Sequence, residues 1–298
     1  MSKPKSVKLF KFDYILKDIN SEEFDLEGGI YSKTTYDEEG RTLSELKYEA
    51  DGSIEQHYGY AYNEQGNRIA ERSWDESGNL IEDIEFDLDT DGNVQQAYKN
   101  YLDGSRDTIT YTYDDRGNLL GKEVVTDEDE LEMAETFAYE NDREVLHEMK
   151  DENDELVLRK QTAYDEKGRV VEERTWSAET GSTLRTLTEY DDKGEISGVS
   201  SYNEDGEMLL RVSYKREGER ITGVTEHSPD KKSVTTIEYD ENDNPVLQEE
   251  HNDRRELVSR IVRKFDDEGN VLESEVIIDS HGQGRNQHYI LKYEYEFY

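Results

Sequence analysis

One phrase recurs along the chain: an aromatic residue, Asp or Asn, two polar residues, Gly, one or two further residues, then an aliphatic. It starts at Tyr36 (with Gly40), Tyr62 (Gly66), Trp74 (Gly78), Tyr113 (Gly117), Tyr164 (Gly168) and Tyr190 (Gly194). It returns at Tyr202 (Gly206), Tyr214 (Gly218) and Phe265 (Gly269), with weaker copies at Tyr48, Phe86, Tyr139 and Tyr239. Tyr36 to Tyr62 is 26 residues, Tyr139 to Tyr164 is 25 and Tyr190 to Tyr214 is 24. A second copy falls about midway between many of these. Such self-similarity is the mark of a repeat architecture. The unit is one strand plus one turn, and two units make a hairpin.

The residues explain the unit. Asp or Asn after the aromatic can bond its side chain to the backbone two residues on and start a turn. The following Gly supplies the φ > 0 position that a tight turn or bulge needs. The stretches between turns alternate in character, as strands do. In the C-terminal QHYILKYEYEFY, Tyr289, Leu291, Tyr293, Tyr295 and Phe297 share one face while Lys292, Glu294 and Glu296 share the other. Only 3 Pro occur, which suits many uninterrupted strands. The expected fold is all-β: a continuous antiparallel meander of about 20 strands, coiled or spiralling through its twist. A propeller of five four-strand blades is the rival, disfavoured by the two-strand period. Residues 1–30 are expected to cap the array, 31–275 to form it and 276–298 to close it with a final strand, all as one domain.

Composition limits the function. There are 74 acidic and 36 basic residues, a net charge of −38, and only 32% hydrophobic residues, although 21 are Tyr. A thin aromatic core is all the chain can supply. Nucleic-acid binding needs a basic stripe, which is missing. No apolar run approaches the roughly 20 residues of a membrane helix, and the N-terminus lacks the apolar h-region of a secretory signal. The expectation is a cytoplasmic protein without membrane insertion. With no Cys, disulfides, thiolate metal sites and Cys nucleophiles are excluded.

On Tyr36-Asp37-Gly40-Arg41-Leu43, Tyr113-Asp114-Gly117 and Tyr164-Asp165-Gly168-Arg169, the chain resembles the YD or RHS repeats of bacterial polymorphic toxins, over about residues 30–275. The resemblance implies a bacterial source and a sheet that spirals into a hollow shell around a toxin. The chain departs from that pattern in being short for a large shell and in showing no separate C-terminal effector domain or aspartyl-protease-like segment.

Candidate chemistry is sparse. Asp87, Asp89, Asp91 and Gly92 are spaced like the start of an EF-hand loop, but Tyr98 stands where the bidentate Glu belongs, so a solvated turn is the better reading. Of the six His, His227 and His251 occupy aromatic positions of the repeat, and His281 and His288 flank a loop, Ser280 to Gln287, that breaks it. Acidic pairs abound, but glycosidase chemistry depends on their separation in space. No phosphate-binding glycine loop or nucleophile motif occurs. The sequence therefore predicts no catalytic residue, no cofactor and no metal. It predicts a non-enzymatic binding protein for a basic protein partner, such as an immunity protein or chaperone that masks a basic toxin. The alternative is a structural or surface module that binds glycans. Acids facing one another across strands would make added salt, or mild acidification, stabilising.

Gly117→Val and Gly168→Val should each cost on the order of 1–3 kcal/mol, because a β-branched residue is strained at φ > 0. Thermal melts indistinguishable from the parent protein would show that these glycines are not turn residues.

Overall fold

In a computed structural model, which describes residues 3–17, 24–281 and 286–298, the chain is all strand and turn. Strands β1 (Pro4–Leu16) and β2 (Phe24–Tyr36) open it, β22 (Gln287–Phe297) ends it, and nineteen strands of seven to ten residues lie between, the last being β21 (Val271–Ile278). Each strand pairs antiparallel with its neighbours in sequence, and β1 also pairs with β22, Leu9 opposite Tyr293 and Lys11 opposite Leu291. The sheet is thus closed: an up-and-down barrel of 22 strands rather than an open coil with capped ends. The difference lies in the first and last strands. They use their unpaired edges on each other, which removes the exposed edge an open meander would keep at each end.

The barrel is hollow. Strands touch only their ring neighbours. At about 4.8 Å spacing and a tilt near 40°, 22 strands give a circular section roughly 45 Å across, backbone to backbone. The accessible surface is 19444 Å² for 34.8 kDa, where a compact monomer of that mass exposes about 13,000 Å². Among the described residues the buried apolar set is only Ala70, Ala97, Val124, Val276 and Ile290.

Side chains alternate between two walls. In β10 (Leu131–Glu140), Met133, Glu135, Phe137 and Tyr139 are half-buried while Thr136 and Ala138 are exposed. In β12 (Leu156–Tyr164), Leu158, Lys160, Thr162 and Tyr164 are half-buried while Arg159, Gln161 and Ala163 are exposed. The more covered set, which contains the recurrent tyrosines, faces inward, where the concave wall crowds side chains together. Tyr111 of this set feels the charge of Glu71, three strands away. The outer wall carries ion pairs: Arg72–Asp83 at 2.8 Å, Arg211–Glu189 at 2.7 Å and Lys264–Glu273 at 2.6 Å.

Odd-numbered strands run one way and even-numbered strands the other, so the connections fall on two rims. One, the tyrosine rim, holds the turns that follow Tyr36, Tyr62, Tyr113, Tyr164, Tyr190 and Phe265. Trp74 and Tyr202 precede turns on the opposite rim. The glycine of these turns has φ from +79° at Gly78 to +91° at Gly194. The copy at Tyr214 differs. Tyr214 lies inside β16 (Met208–Glu217), and the chain reverses through Gly218 and Glu219 alone. Where a turn lacks glycine, Asp129, Asp154, Asp243 and Arg255 hold positive φ instead.

Removal of residues 287–298 should open the ring, exposing one edge each of β1 and β21. The expected result is a lower melting temperature and a shift to oligomers on size-exclusion chromatography. An unchanged melt and elution volume would contradict closure by β22.

Candidate binding surfaces

The turns are built on a carboxylate. Asp114 Oδ1 accepts the backbone N–H groups of Arg116 at 2.9 Å and Asn118 at 2.8 Å, and Oδ2 accepts the Asn118 side-chain amide at 2.9 Å. Asp75–Asn79, Asp89–Asn93, Asp240–Asn244 and Asp266–Asn270 repeat this arrangement. In Asp37–Arg41 and Asp165–Arg169 the guanidinium replaces the amide. The asparagine side chain, followed by the backbone N–H groups, holds the carboxyls of Asp75, Asp89, Asp114, Asp240 and Asp266 below the usual aspartate range. Asn63 does the same work without charge, accepting from Gln65 N at 3.1 Å and Asn67 N at 2.9 Å. Asp89 and Asp91, from the EF-hand-like run, belong to such a turn, while Asp87 accepts the Tyr98 hydroxyl at 3.1 Å. No cluster of metal-ligating side chains forms among the described residues.

The rim tyrosines are structural in geometry. The hydroxyl of Tyr62 donates to Thr42 O at 2.9 Å, Tyr113 to Val94 O at 2.9 Å, Tyr164 to Glu144 O at 2.7 Å and Tyr190 to Val170 O at 2.8 Å. Each reaches a carbonyl at the start of the preceding strand and ties one hairpin edge to the next. The Tyr36 carbonyl accepts from the Tyr298 hydroxyl at 2.6 Å.

The inner wall holds charged groups in pairs. Glu135 Oε1 meets Lys122 Nζ at 2.8 Å and Oε2 meets His147 Nε2 at 2.8 Å. Burial pushes the Glu135 carboxyl up, but Lys122 and His147 together outweigh it and hold the group below its usual range. Lys160–Glu173 at 2.6 Å and Lys47–Glu55 at 2.8 Å continue the pattern. Burial first, then the 2.6 Å bond to Glu45, pushes the Tyr60 hydroxyl up to about 12. These pairs have no signature in the sequence, since partners such as Lys122 and Glu135 meet only through strand register. Of the histidines, His57 stacks on Trp74 and His288 on Tyr14. His227 ends β17 (Arg220–His227), and His251 lies opposite Val234 and Leu257. His281 Nε2 lies 2.9 Å from Leu257 O. Positions 282–285 of the loop singled out in the sequence lie outside the described residues.

The excess charge is not on the wall. The 22 strands contain 30 acids and 25 bases, a net −5. The segments between and beyond them contain the other 44 acids and 11 bases, a net −33. Acids facing one another across strands, expected from composition, are therefore not the main source of repulsion. The excess forms an anionic collar on each rim.

No family model matches this chain, and no curated protein does. Among solved structures, it is similar to the TcdB2-TccC3-Cdc42 crystal structure (11% identity, TM-score 0.33), with 93% of this chain matched to 20% of that one. It is similar to a porin-like protein from Bacteroides uniformis (9%, TM-score 0.37), over 99% of this chain and 98% of that one. It is also similar to the Photorhabdus luminescens Tc holotoxin pore (12%, TM-score 0.26), over 92% and 20%. The chain spans about a fifth of the toxin-complex chains it matches. Likenesses of this size carry no argument about its function.

Acid should destabilise the barrel. A carboxyl whose folded pKa is depressed stabilises the fold above its unfolded pKa of about 3.9, and that contribution is lost as pH falls through the lower folded value. The melting temperature should change little from about pH 7 to 5 and fall below about pH 4. Asp114→Asn combined with Asp266→Asn should reduce that fall, because Asn63 shows that an amide oxygen can make the turn. A melting temperature that rises steadily into acid would refute this role for the turn aspartates.

Proposed function

We propose that this chain is a non-enzymatic binding protein whose partner is a basic polypeptide received at the mouths of the barrel. The partition of charge carries the reading. A wall of net −5 ends in rims and termini that total −33. Charge gathered around an opening focuses the field there and speeds encounter with a cation. The densest part of the opposite rim is the turn Thr126–Glu130, with Asp127, Glu128, Asp129 and Glu130, beside the turn that holds Glu152, Asp154 and Glu155. Masking the basic surface of a toxin, as an immunity protein or chaperone would, is the role this chemistry suits. The outer wall supports a water-facing ring rather than a lipid-facing one. A membrane barrel presents an apolar outer band, whereas Arg72, Asp83, Glu148 and Arg159 occupy the mid-wall here.

A lysine-rich peptide of about 20 residues, followed by fluorescence anisotropy, should bind at about 50 mM NaCl and lose at least about tenfold in affinity by about 300 mM, while a glutamate-rich peptide should not bind. Replacing Asp127, Glu128 and Glu130 with their amides should weaken binding and leave the melt unchanged. No binding of the basic peptide at the lower salt would overturn the proposal.

A further inference from the structure

One part of the outer wall runs against the charge of the whole. The register of β11 (Arg143–Asp151), β12, β13 (Val170–Ser177) and β14 (Ser182–Tyr190) sets outward-facing residues in two rows. Glu148, Arg159, Trp176 and Thr183 lie side by side in one. Leu146, Gln161, Arg174 and Arg185 lie side by side in the next. Arg159, Gln161, Arg174, Trp176 and Thr183 line a cleft of about 350 Å³ together with Leu156. A second cleft of about 360 Å³ adjoins it, sharing Gln161 and Arg174.

The arginines are aimed. Arg159 Nε donates to Glu148 at 2.5 Å and Arg174 Nε to Glu172 at 2.5 Å. Among the described residues, the Nη groups of both make no hydrogen bond, although each guanidinium carries donors there. The arginine side chains are 50% and 56% exposed, whereas their glutamates are 20% and 22% exposed. The glutamates therefore sit beneath and the guanidinium edges face out. Arg185 adds two bonds to Glu172, at 2.9 and 3.1 Å. Two glutamates thus serve three arginines, and the local balance is positive.

We propose that this cleft binds a carboxylated sugar, a uronic-acid unit or its oligomer. A guanidinium fork with free Nη donors matches a carboxylate in plane. The indole of Trp176 offers an apolar face to a pyranose ring, and Gln161 and Thr183 offer hydrogen-bonding groups for its hydroxyls. The two adjoining clefts give room for two rings. On a chain of net charge −38 a uronic acid brings one negative charge per ring, whereas a phosphate monoester gathers nearly two on one group, which favours the carboxylate over a phosphate. The inference is independent of the basic partner proposed for the rims.

The chain has two tryptophans, so Trp74→Phe leaves Trp176 as the sole indole reporter. In that background, digalacturonate should change the emission saturably, and galactobiose, its neutral counterpart, should do so at least about tenfold more weakly. Arg159→Gln and Arg174→Gln should each reduce digalacturonate affinity about tenfold without shifting the melt. Equal response to both sugars, no response to digalacturonate up to about 10 mM, or a response that survives both arginine substitutions would overturn the proposal. So would an emission change that depends only on protein concentration, which would assign the cleft to a second copy of the chain.

Discussion

Backbone pairing between β1 and β22 is the constraint on which the rest of this molecule depends. A hollow sheet has no opposing layer to pack against, so it cannot draw on the buried apolar area that holds a sandwich together. Ala97 and Val124 are among the few apolar side chains it buries. Its stability must come from ladder hydrogen bonds, from cross-strand pairs such as Lys122–Glu135 and from the turns. Those terms act fully only when each strand has two neighbours. Closure gives the first and last strands the same environment as the other twenty.

The turns and part of the net charge have one origin. The oxygen that accepts two backbone N–H groups in the Asp114 turn belongs to a carboxylate, and the same is true at Asp75, Asp89, Asp240 and Asp266. Building turns this way places a negative charge at hairpin ends around both rims. The strands escape the surplus because their acids meet bases across the ladder. A thin wall exposed to water on both faces gains solubility from such paired charges, with little cost in desolvation.

Much of this was legible in the sequence because it is local. Tyr113, Asp114 and Gly117 sit within five residues, and turn chemistry reads across that distance without knowledge of the fold. The two-strand period followed from the same phrase and excluded a helical array. Closure was not legible, since it joins residues near 9 and 293 and no side chain announces which edge a strand will meet. The copy at Tyr214 misled for a related reason. Gly218 reads as the fourth residue of a longer turn, yet the pairing of Glu217 with Arg220 shortens the loop to two residues and carries Tyr214 into the strand. Composition also misplaced the repulsion. Counting 74 acids against 36 bases says nothing of where they lie, and register sets strand acids such as Glu148, Glu249 and Glu273 opposite bases.

The same register separates two kinds of surface that composition blends. Rims with a large negative excess attract cations and repel anions, so any anion site must lie away from them and carry its own positive charge. The wall between β11 and β14 meets both conditions, because its cleft stands at mid-height and three arginines, Arg159, Arg174 and Arg185, share two glutamates, Glu148 and Glu172, around it. Glu172 shows how this local charge is held. Bonded first by Arg185 and then by Arg174, its carboxyl is drawn down to about 2, so it stays ionised and keeps both guanidinium groups in place wherever the turns themselves are intact. A barrel with no apolar core to organise it can still fix side chains in this way, since each strand hands its neighbour a partner at a spacing set by the ladder.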